Sequence, residues 1–394
     1  MDRKPSILHI TPFFSPNVGG VETHLENLID YLKLHYYKQI VMTYQPLVGS
    51  NKGKKKEVST NLEIYRLSWL TGFYYKSLIN PIIHFLYLTP YLLYRTLYFL
   101  LFRSDDVDII HAHGINAAFI GVISNLFFRK PLVVSMYVEF NFVRNNWATN
   151  FYLWPLKRAD KILVMTDNSK KELIKFGIEN SKINVYSHWV NQRIFRIIPK
   201  TQSRKKLNLQ DDKFIVLFVG RLTEAKGAYL LINIAKKLSH VSFVIVASGD
   251  LSDSLKDQAS KLKNIHYIGK VDYDKLAVYY QATDILIVPS LVSIPRRTFE
   301  EGIPRVIMEA LSCGVPIIGT DNGGIKEVIE SGKVGFIVPS TTEDFVKAIE
   351  KIEDRFSEFP ILRKRCLDYA RQRFNIKRAN IITDTYQEVY GKEN

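Results

Sequence analysis

The chain has 394 residues, of which 46% are hydrophobic and 24% charged; this balance excludes wholesale disorder and, at this length, favours two domains. The two cysteines, Cys313 and Cys366, stand far apart, which excludes a disulfide framework and a clustered zinc site and favours a reducing compartment. The net charge of +15 is uneven: residues 1–196 carry 24 Lys and Arg against 14 Asp and Glu, and the rest carry 30 against 25, so the first half is the basic one and suits nucleic acid, an anionic membrane or a phosphorylated substrate.

Met1-Asp-Arg-Lys-Pro runs into a short strand rather than a long apolar segment. No signal peptide is expected, and a cytoplasmic location is. Residues 6–11 (SILHIT) read as that strand. They lead into a Pro/Gly loop that ends in Gly19, Gly20 and Glu22, and then into a helix with Val21, Leu25, Leu28, Ile29 and Leu32 at helical spacing. Strand, glycine loop and helix form the opening of an α/β unit, in which small residues let a ligand approach the backbone. The loop is not G-x-G-x-x-G, so a nicotinamide-binding reading is weak. Lys52–Lys56 reads as a solvated loop.

Residues 69–102 are rich in Tyr, Phe and Leu, with Pro81 and Pro90 as interruptions and His84 inside; residues 77–94 lack Lys, Arg, Asp and Glu. Two readings compete. One is a pair of helices partly buried in the first domain. The other is an interfacial surface against a bilayer, with nearby Lys and Arg on anionic lipid. A true span is disfavoured, because Pro-broken helices are poor isolated spans.

Strands are expected at 107–113, 132–136, 159–165 and 183–186, alternating with helices, which argues for a parallel, doubly wound sheet. Residues 194–208 are polar and basic with no clear period and are placed as the interdomain linker. A second α/β series follows, with strands at 214–219, 242–247, 265–268, 284–288, 315–318 and 335–338 and a last helix at 379–390. The expected division is an N-terminal domain 1–196, a C-terminal domain 197–375 and a terminal segment 376–394.

Three places carry chemistry. Gly220-Arg221 and Lys226-Gly227 bound a loop that leaves the first strand of the second series. The Arg gives a planar two-pronged contact and the Lys a compact charge, so the two can converge on one anion. His111-Ala-His113-Gly114 ends a strand of the first series; a lone His there is more often structural. Residues 289–328 hold a polar loop, a helix from about Pro304 to Ser312, a strand and a Gly-Gly turn, with Glu301 and Glu309 eight residues apart. Pro304 suits a first helical turn. The helix would aim free N–H groups and a positive dipole end at a ligand, with both carboxylates beside it. That set suits a nucleotide-sugar: phosphates at the helix end, hydroxyls at the carboxylates.

The block E301-GIPRVIM-E309-ALSCGVPIIGTDNGG resembles the E-x7-E signature of family 4 retaining glycosyltransferases, and residues 219–227 resemble that family's G-R-L-x-x-x-K-G motif. His111-Ala-His113 and the Gly19-Gly20-Val-Glu22 loop match two further motifs, in the family's order. The resemblance runs through nearly the whole chain. It implies a GT-B fold, two Rossmann-like doubly wound domains facing across a cleft, with the first on the acceptor side, the second binding the nucleotide-sugar and the terminal helix crossing back to the first. It further implies retaining transfer of a hexose from a nucleoside-diphosphate sugar, UDP- or GDP-linked, to a hydroxyl acceptor. Arg221 and Lys226 would hold the diphosphate, Gly19, Gly20 and Glu22 would approach it from the other domain, and His113 would face the donor sugar. Glu301 would orient the sugar hydroxyls and Glu309 the ribose. Gly220, Gly302, Ile303, Pro304, Arg305 and Val306 would complete the donor site, with Gly269, Lys270 and Val271 near the base.

Three positions depart from the family. Trp189 stands where a Gly is common, which predicts a bulkier cleft wall. Tyr137-Val138 replaces a His-Gly, and Pro304 replaces a Gly and removes a backbone donor. Two D-x-D triplets, Asp106/Asp108 and Asp272/Asp274, read as structural, the second as a helix N-cap. With Arg221, Lys226 and a helix end at the diphosphate, no metal or other cofactor is expected. No nucleic-acid reader motif is present. The aromatic, basic first half points to a glycan or lipid-linked acceptor at an anionic membrane surface. A GT-B phosphorylase and a catalytically inactive glycan-binding homologue are the alternatives.

Overall fold

A computed structural model of the chain describes residues 3–17, 19–47, 52–71, 80–291, 299–354 and 358–391. It divides into two compact units. One comprises Met1–Tyr186 and Ala379–Asn394, the other Ser187–Arg378.

In the first unit, strands β1 (Ile7–Ile10), β2 (Gln39–Tyr44), β3 (Lys56–Ser59), β4 (Leu62–Leu67), β5 (Ile109–His113), β6 (Leu132–Ser135), β8 (Lys161–Val164) and β9 (Ile183–Val185) form one sheet in the order β3-β4-β2-β1-β5-β6-β8-β9; β7 (Val138–Phe140) lies outside it. All its pairings are parallel except β3 with β4. The inner strands are buried along their whole length, as parallel strands covered on both faces must be. Sheet order reverses between β1 and β5, so the loops after these two strands flank the crevice where doubly wound sheets take ligands. The helix Gly20–Leu34 follows β1 and the helix Ile115–Phe128 follows β5.

Among the described residues the aromatic stretch forms the helix Pro81–Arg103; residues 72–79, where the first of the two expected helices would fall, lie outside the described ones. Asn80 caps it, its side-chain oxygen accepting from Ile82 N at 2.9 Å, and Pro81 sits where a missing N–H costs nothing. The helix continues through Pro90. Near it the Tyr44 hydroxyl donates to the Leu88 carbonyl (2.9 Å) and accepts from Leu92 N (3.0 Å), so a buried side chain is inserted into the ladder where the proline disturbs it. Leu88, Leu92 and Leu100 are fully buried in the unit's core.

In the second unit β10 (Ile215–Arg221), β11 (Ser242–Ser248), β12 (Ile265–Tyr267), β13 (Ile285–Val288), β15 (Ile317–Thr320) and β16 (Gly335–Val338) form an all-parallel sheet in the order β12-β11-β10-β13-β15-β16, and β14 (Phe299–Glu301) stands apart from it. The order reverses between β10 and β13.

The expected linker is corrected. Ser187–Arg196 packs into the second unit: Ser187 Oγ donates to the Arg373 carbonyl (2.5 Å), Val190 N donates to the Phe374 carbonyl (3.0 Å), and the Phe195 ring lies against Tyr273 and Tyr280. Residues 200–207 are a helix rather than a linker. Its Lys200 and Arg204, one turn apart, both pair with buried Asp284, which also accepts from Ile215 N at 2.7 Å. The unit boundary therefore falls at Tyr186/Ser187, and residues 376–378 stay with the second unit while Ala379–Asn394 joins the first. There the helix Asn380–Tyr390 is held by Asn380 Oδ1, which accepts from Tyr31 Oη at 2.7 Å, and by the ion pair of Glu388 with Lys161 at 2.5 Å.

Candidate active site

The switch crevice of the first unit is lined by imidazoles. Parallel pairing sets His9 of β1 opposite His111 of β5, and His113, two residues on, projects to the same side of the sheet. All three are buried. His9 Nδ1 lies 3.0 Å from His113 Nε2, and His113 Nδ1 lies 2.6 Å from Tyr137 Oη. His111 lies 2.6 Å from Tyr386 Oη and 2.7 Å from Ser135 Oγ. A fourth imidazole, His24, contacts Tyr186 Oη at 3.2 Å. Burial, first of all, drives the pKa of His9 down to about 3 and those of His111 and His113 well below the ordinary imidazole value. Mutual repulsion adds to it for His111 and His113. All three are therefore neutral at physiological pH, and each His–His contact joins one protonated and one bare nitrogen.

Nitrogens of His9, His111 and His113 lie within 4.8 Å of one another, close enough to be considered as metal ligands. The hydroxyls of Tyr137, Tyr386 and Ser135 already occupy both nitrogens of His111 and one of His113, and the remaining His113 nitrogen meets His9. His111 and His113 are thus satisfied within the cluster, whereas His9 Nε2 is buried without a hydrogen-bond partner. His113 is 3% exposed and turns neither nitrogen to solvent.

On the loop after β1, Gly19 precedes the helix that Gly20 opens, and Glu22 lies in its first turn. Glu22 folds back over Gly19, so that a Cβ on Gly19 would sit 2.3 Å from its Oε2. The atoms met are the movable end of the Glu22 side chain and the φ of −176° is ordinary extended backbone, so the backbone here does not itself demand glycine.

The second unit gathers the expected donor-site motifs at the C-terminal edge of its sheet. Arg221 ends β10 and is exposed; Lys226, half-buried, ends the short turn that follows. Gly227 has φ +71°, and a Cβ there would lie 2.1 Å from the Pro289 carbonyl oxygen. The loop after β10 is thus pressed against the loop after β13, and Leu291 N donates to the Ala225 carbonyl at 2.9 Å. Asn322 Nδ2, after β15, donates to the Leu291 carbonyl at 2.7 Å. Gly323 and Gly324 open the helix Gly323–Gly332 rather than forming a separate turn, and they serve the same packing: a Cβ on Gly324 would come within 2.6 Å of Ile303 N. Arg221, Lys226 and the 302–305 backbone are therefore carried by loops fastened to one another. Gly220, at φ +156°, precedes Arg221 within the strand. Gly269, Lys270 and Val271 follow β12, at the far edge of the same sheet; Gly269 takes φ +80° and Lys270 is exposed.

Glu301 ends β14; its side chain lies outside the described residues. The helix begins at Arg305, with Pro304 as N-cap (φ −62°, ψ 133°) and not in the first turn. Its backbone is extended there, which Pro accepts and which the cap position requires. Val306 lies in the first turn and Ile303 and Pro304 are buried, as Gly302 is.

Glu309 does not stand open beside the helix end. It is 3% exposed, accepts from Tyr280 Oη at 2.8 Å and faces Arg305 Nε at 3.5 Å. Arg305 in turn donates to Tyr273 Oη at 2.6 Å and lies over the Tyr273 ring. Burial raises the Glu309 pKa, opposed by Arg305 and the Tyr280 hydrogen bond. This carboxylate is enclosed in a Tyr273–Arg305–Glu309–Tyr280 chain and offers no open oxygen for a ribose. Buried His188 sits near Arg305; burial first, then that charge, holds its pKa far down. Trp189 is 4% exposed and so forms core rather than a bulkier wall.

Neither D-x-D triplet is presented as a metal site. Asp106 pairs with Lys38 (2.8 Å) and Arg103 (2.6 Å), and Asp108 accepts from Ser6 N (2.7 Å). Asp272 holds the N-cap position, but its carboxylate pairs with Lys275 at 3.1 Å rather than capping. Cys313 and Cys366 are both buried and free.

Two Rossmann-like sheets, with the Arg221–Lys226 loop and the helix that carries Glu309 on the second, define a doubly wound, two-unit α/β architecture. Residues 18–193 match the model of the family described as Glycosyltransferase Family 4, and residues 199–373 that of Glycosyl transferases group 1. The chain belongs to this family, the group 1 glycosyltransferases. An uncharacterized glycosyltransferase of Methanocaldococcus jannaschii is 26% identical over 63% of this chain and 66% of its own length. The GPI3 subunit of phosphatidylinositol N-acetylglucosaminyltransferase from Saccharomyces cerevisiae is 23% identical over 92% of this chain and 77% of its own. The crystal structure of Anabaena HepE in complex with UDP superposes with a TM-score of 0.73 at 19% identity, covering 97% of this chain and 100% of that one. The fold is GT-B.

Proposed function

We propose that the protein transfers a hexose from a UDP- or GDP-linked sugar to a hydroxyl acceptor, with retention of configuration and without a metal. The observation that carries this reading is the fastening of the Arg221–Lys226 loop to the loops after β13 and β15. It holds the backbone that carries these two cations, and on this reading their side chains would face the charge gathering on a leaving diphosphate. Arg221, Lys226 and backbone N–H groups near Ile303 and Arg305 would bind that charge more tightly in the transition state than in the ground state. Glu301 would orient the sugar hydroxyls. His113 reaches a sugar only if its bond to His9 or Tyr137 opens, and Glu309 acts by fixing Arg305 at the start of the helix. The leaving phosphate oxygen would take the acceptor proton on the same face. A lipid-linked glycan at the cytoplasmic membrane surface is the proposed acceptor. It agrees with the basic first half of the chain and with the lipid acceptor that the yeast relative's name states, while the UDP in the HepE structure supports the nucleotide-linked donor.

The test is donor consumption by the purified chain over a panel of UDP- and GDP-sugars in excess EDTA. Release of nucleoside diphosphate from one or more donors is expected. No release from any donor, or release only after Mn²⁺ is added, overturns the reading.

A further inference from the structure

We propose that the helix Pro81–Arg103 is a membrane-docking element that lies in the interface of an anionic bilayer. Its inner face is anchored: Leu88, Leu92 and Leu100 are fully buried, and the Tyr44 hydroxyl bonds to its backbone. Its outer face is an unbroken stripe at four-residue spacing, running through Ile82, Leu86, Pro90, Tyr94, Tyr98 and Phe102. Leu86, Tyr94, Tyr98 and Phe102 are 59%, 60%, 52% and 69% exposed. At ~1.5 Å per residue the stripe is about 30 Å long, and contiguous exposed apolar surface of that extent marks an interaction site.

This is the one helix among the described residues that is long and apolar enough to cross a membrane. Because its inner face is fixed to the sheet of a folded unit, it lies along a bilayer rather than through it. Two features select a lipid surface over a second copy of the chain. Between Pro81 and Phe102 only Arg95 is charged, whereas a protein interface carries a polar rim with a hydrogen bond every 100–200 Å² or so. Among the described residues, unpaired cations flank the stripe: Arg95 lies beside it, and the adjacent helix Ile115–Phe128 ends on exposed Leu126 and Phe127 followed by exposed Arg129, while exposed Asp105 comes only after the stripe's last residue. Apolar side chains entering the acyl boundary with cations at headgroup depth match an anionic lipid. Tyr94 and Tyr98 suit that depth, having an apolar ring and a polar tip.

The proposal names the membrane partner left general above. Its test uses no sugar donor, so it and the transferase reading fail separately. The full chain is floated with vesicles of phosphatidylcholine alone or mixed with phosphatidylglycerol, and compared with a Leu86→Glu/Tyr98→Glu variant and an Ile361→Glu control on the second unit. The wild type and the control are expected to float with the mixed vesicles, and the double variant to bind at least about tenfold more weakly. Unchanged thermal melting shows the variants folded; should the double variant fail this, Phe102→Gln takes its place. Equal flotation of the variant, or failure of the wild type to bind mixed vesicles, overturns the proposal. So does a concentration-dependent dimer in sedimentation velocity that the same substitutions abolish.

Discussion

Acidification should destabilise the first unit well before its carboxylates titrate. His9, His111 and His113 are fully buried and held neutral, while in the unfolded chain each protonates near 6.5. A base whose folded pKa is depressed contributes stability above the unfolded value and loses it as pH falls through that value, because the unfolded state then binds more protons. At pH 5.5 each imidazole that stays neutral costs about 1.4 kcal/mol relative to high pH, so the three cost about 4 kcal/mol. That is a large part of the ~5–15 kcal/mol that stabilises an ordinary domain. Urea denaturation at pH 7.5, 6.5 and 5.5 reads the loss directly. His9→Gln, whatever its effect at pH 7.5, should reduce the pH-dependent part by about a third. Stability that is flat between pH 7.5 and 5.5, or an imidazole of the cluster titrating near 6.5 by NMR, would refute the reasoning.

Arg305→Leu leaves Glu309 buried without its cation and should cost about 3–5 kcal/mol by denaturation, most of it recovered in Arg305→Leu/Glu309→Gln; additive losses would show that the two do not act as a pair. Gly227→Ala should be destabilising and should lower donor turnover, since the added methyl meets the Pro289 carbonyl and the position has φ +71°; wild-type melting would contradict the close loop contact.

Much of the fold was legible because its inner strands are apolar runs bounded by turn residues, such as Ile109–His113 and Ile285–Val288. Strands β2 to β4 were not read. Gln39–Tyr44 opens without a turn signal, and Lys56–Ser59 continues a lysine run that resembles a solvated loop. The helix Lys200–Leu207 has no apolar period because it is held by Asp284, 80 residues from Arg204. Of the site, Arg221 and Lys226 were visible as cations on a glycine-bounded loop. The imidazole–tyrosine cluster was not, since His9, His24, Tyr137, Tyr186 and Tyr386 meet only through the sheet and the returning terminal helix. Enclosure of Glu309 had no such signal: Arg305, Glu309 and Ser312 fall at i, i+4 and i+7 on one face of the helix and read as a polar stripe, and only the tyrosines of a neighbouring helix close that face.

The central claim is that Arg221 and Lys226 stabilise a departing nucleoside diphosphate during retaining transfer. It is tested most directly by the anomeric configuration of the product, read by NMR, together with the turnover of Lys226→Ala on the best donor. The account predicts a retained anomer and a loss of about 10²–10³ in turnover for Lys226→Ala at unchanged folding stability. An inverted product, or wild-type turnover in Lys226→Ala, would contradict it.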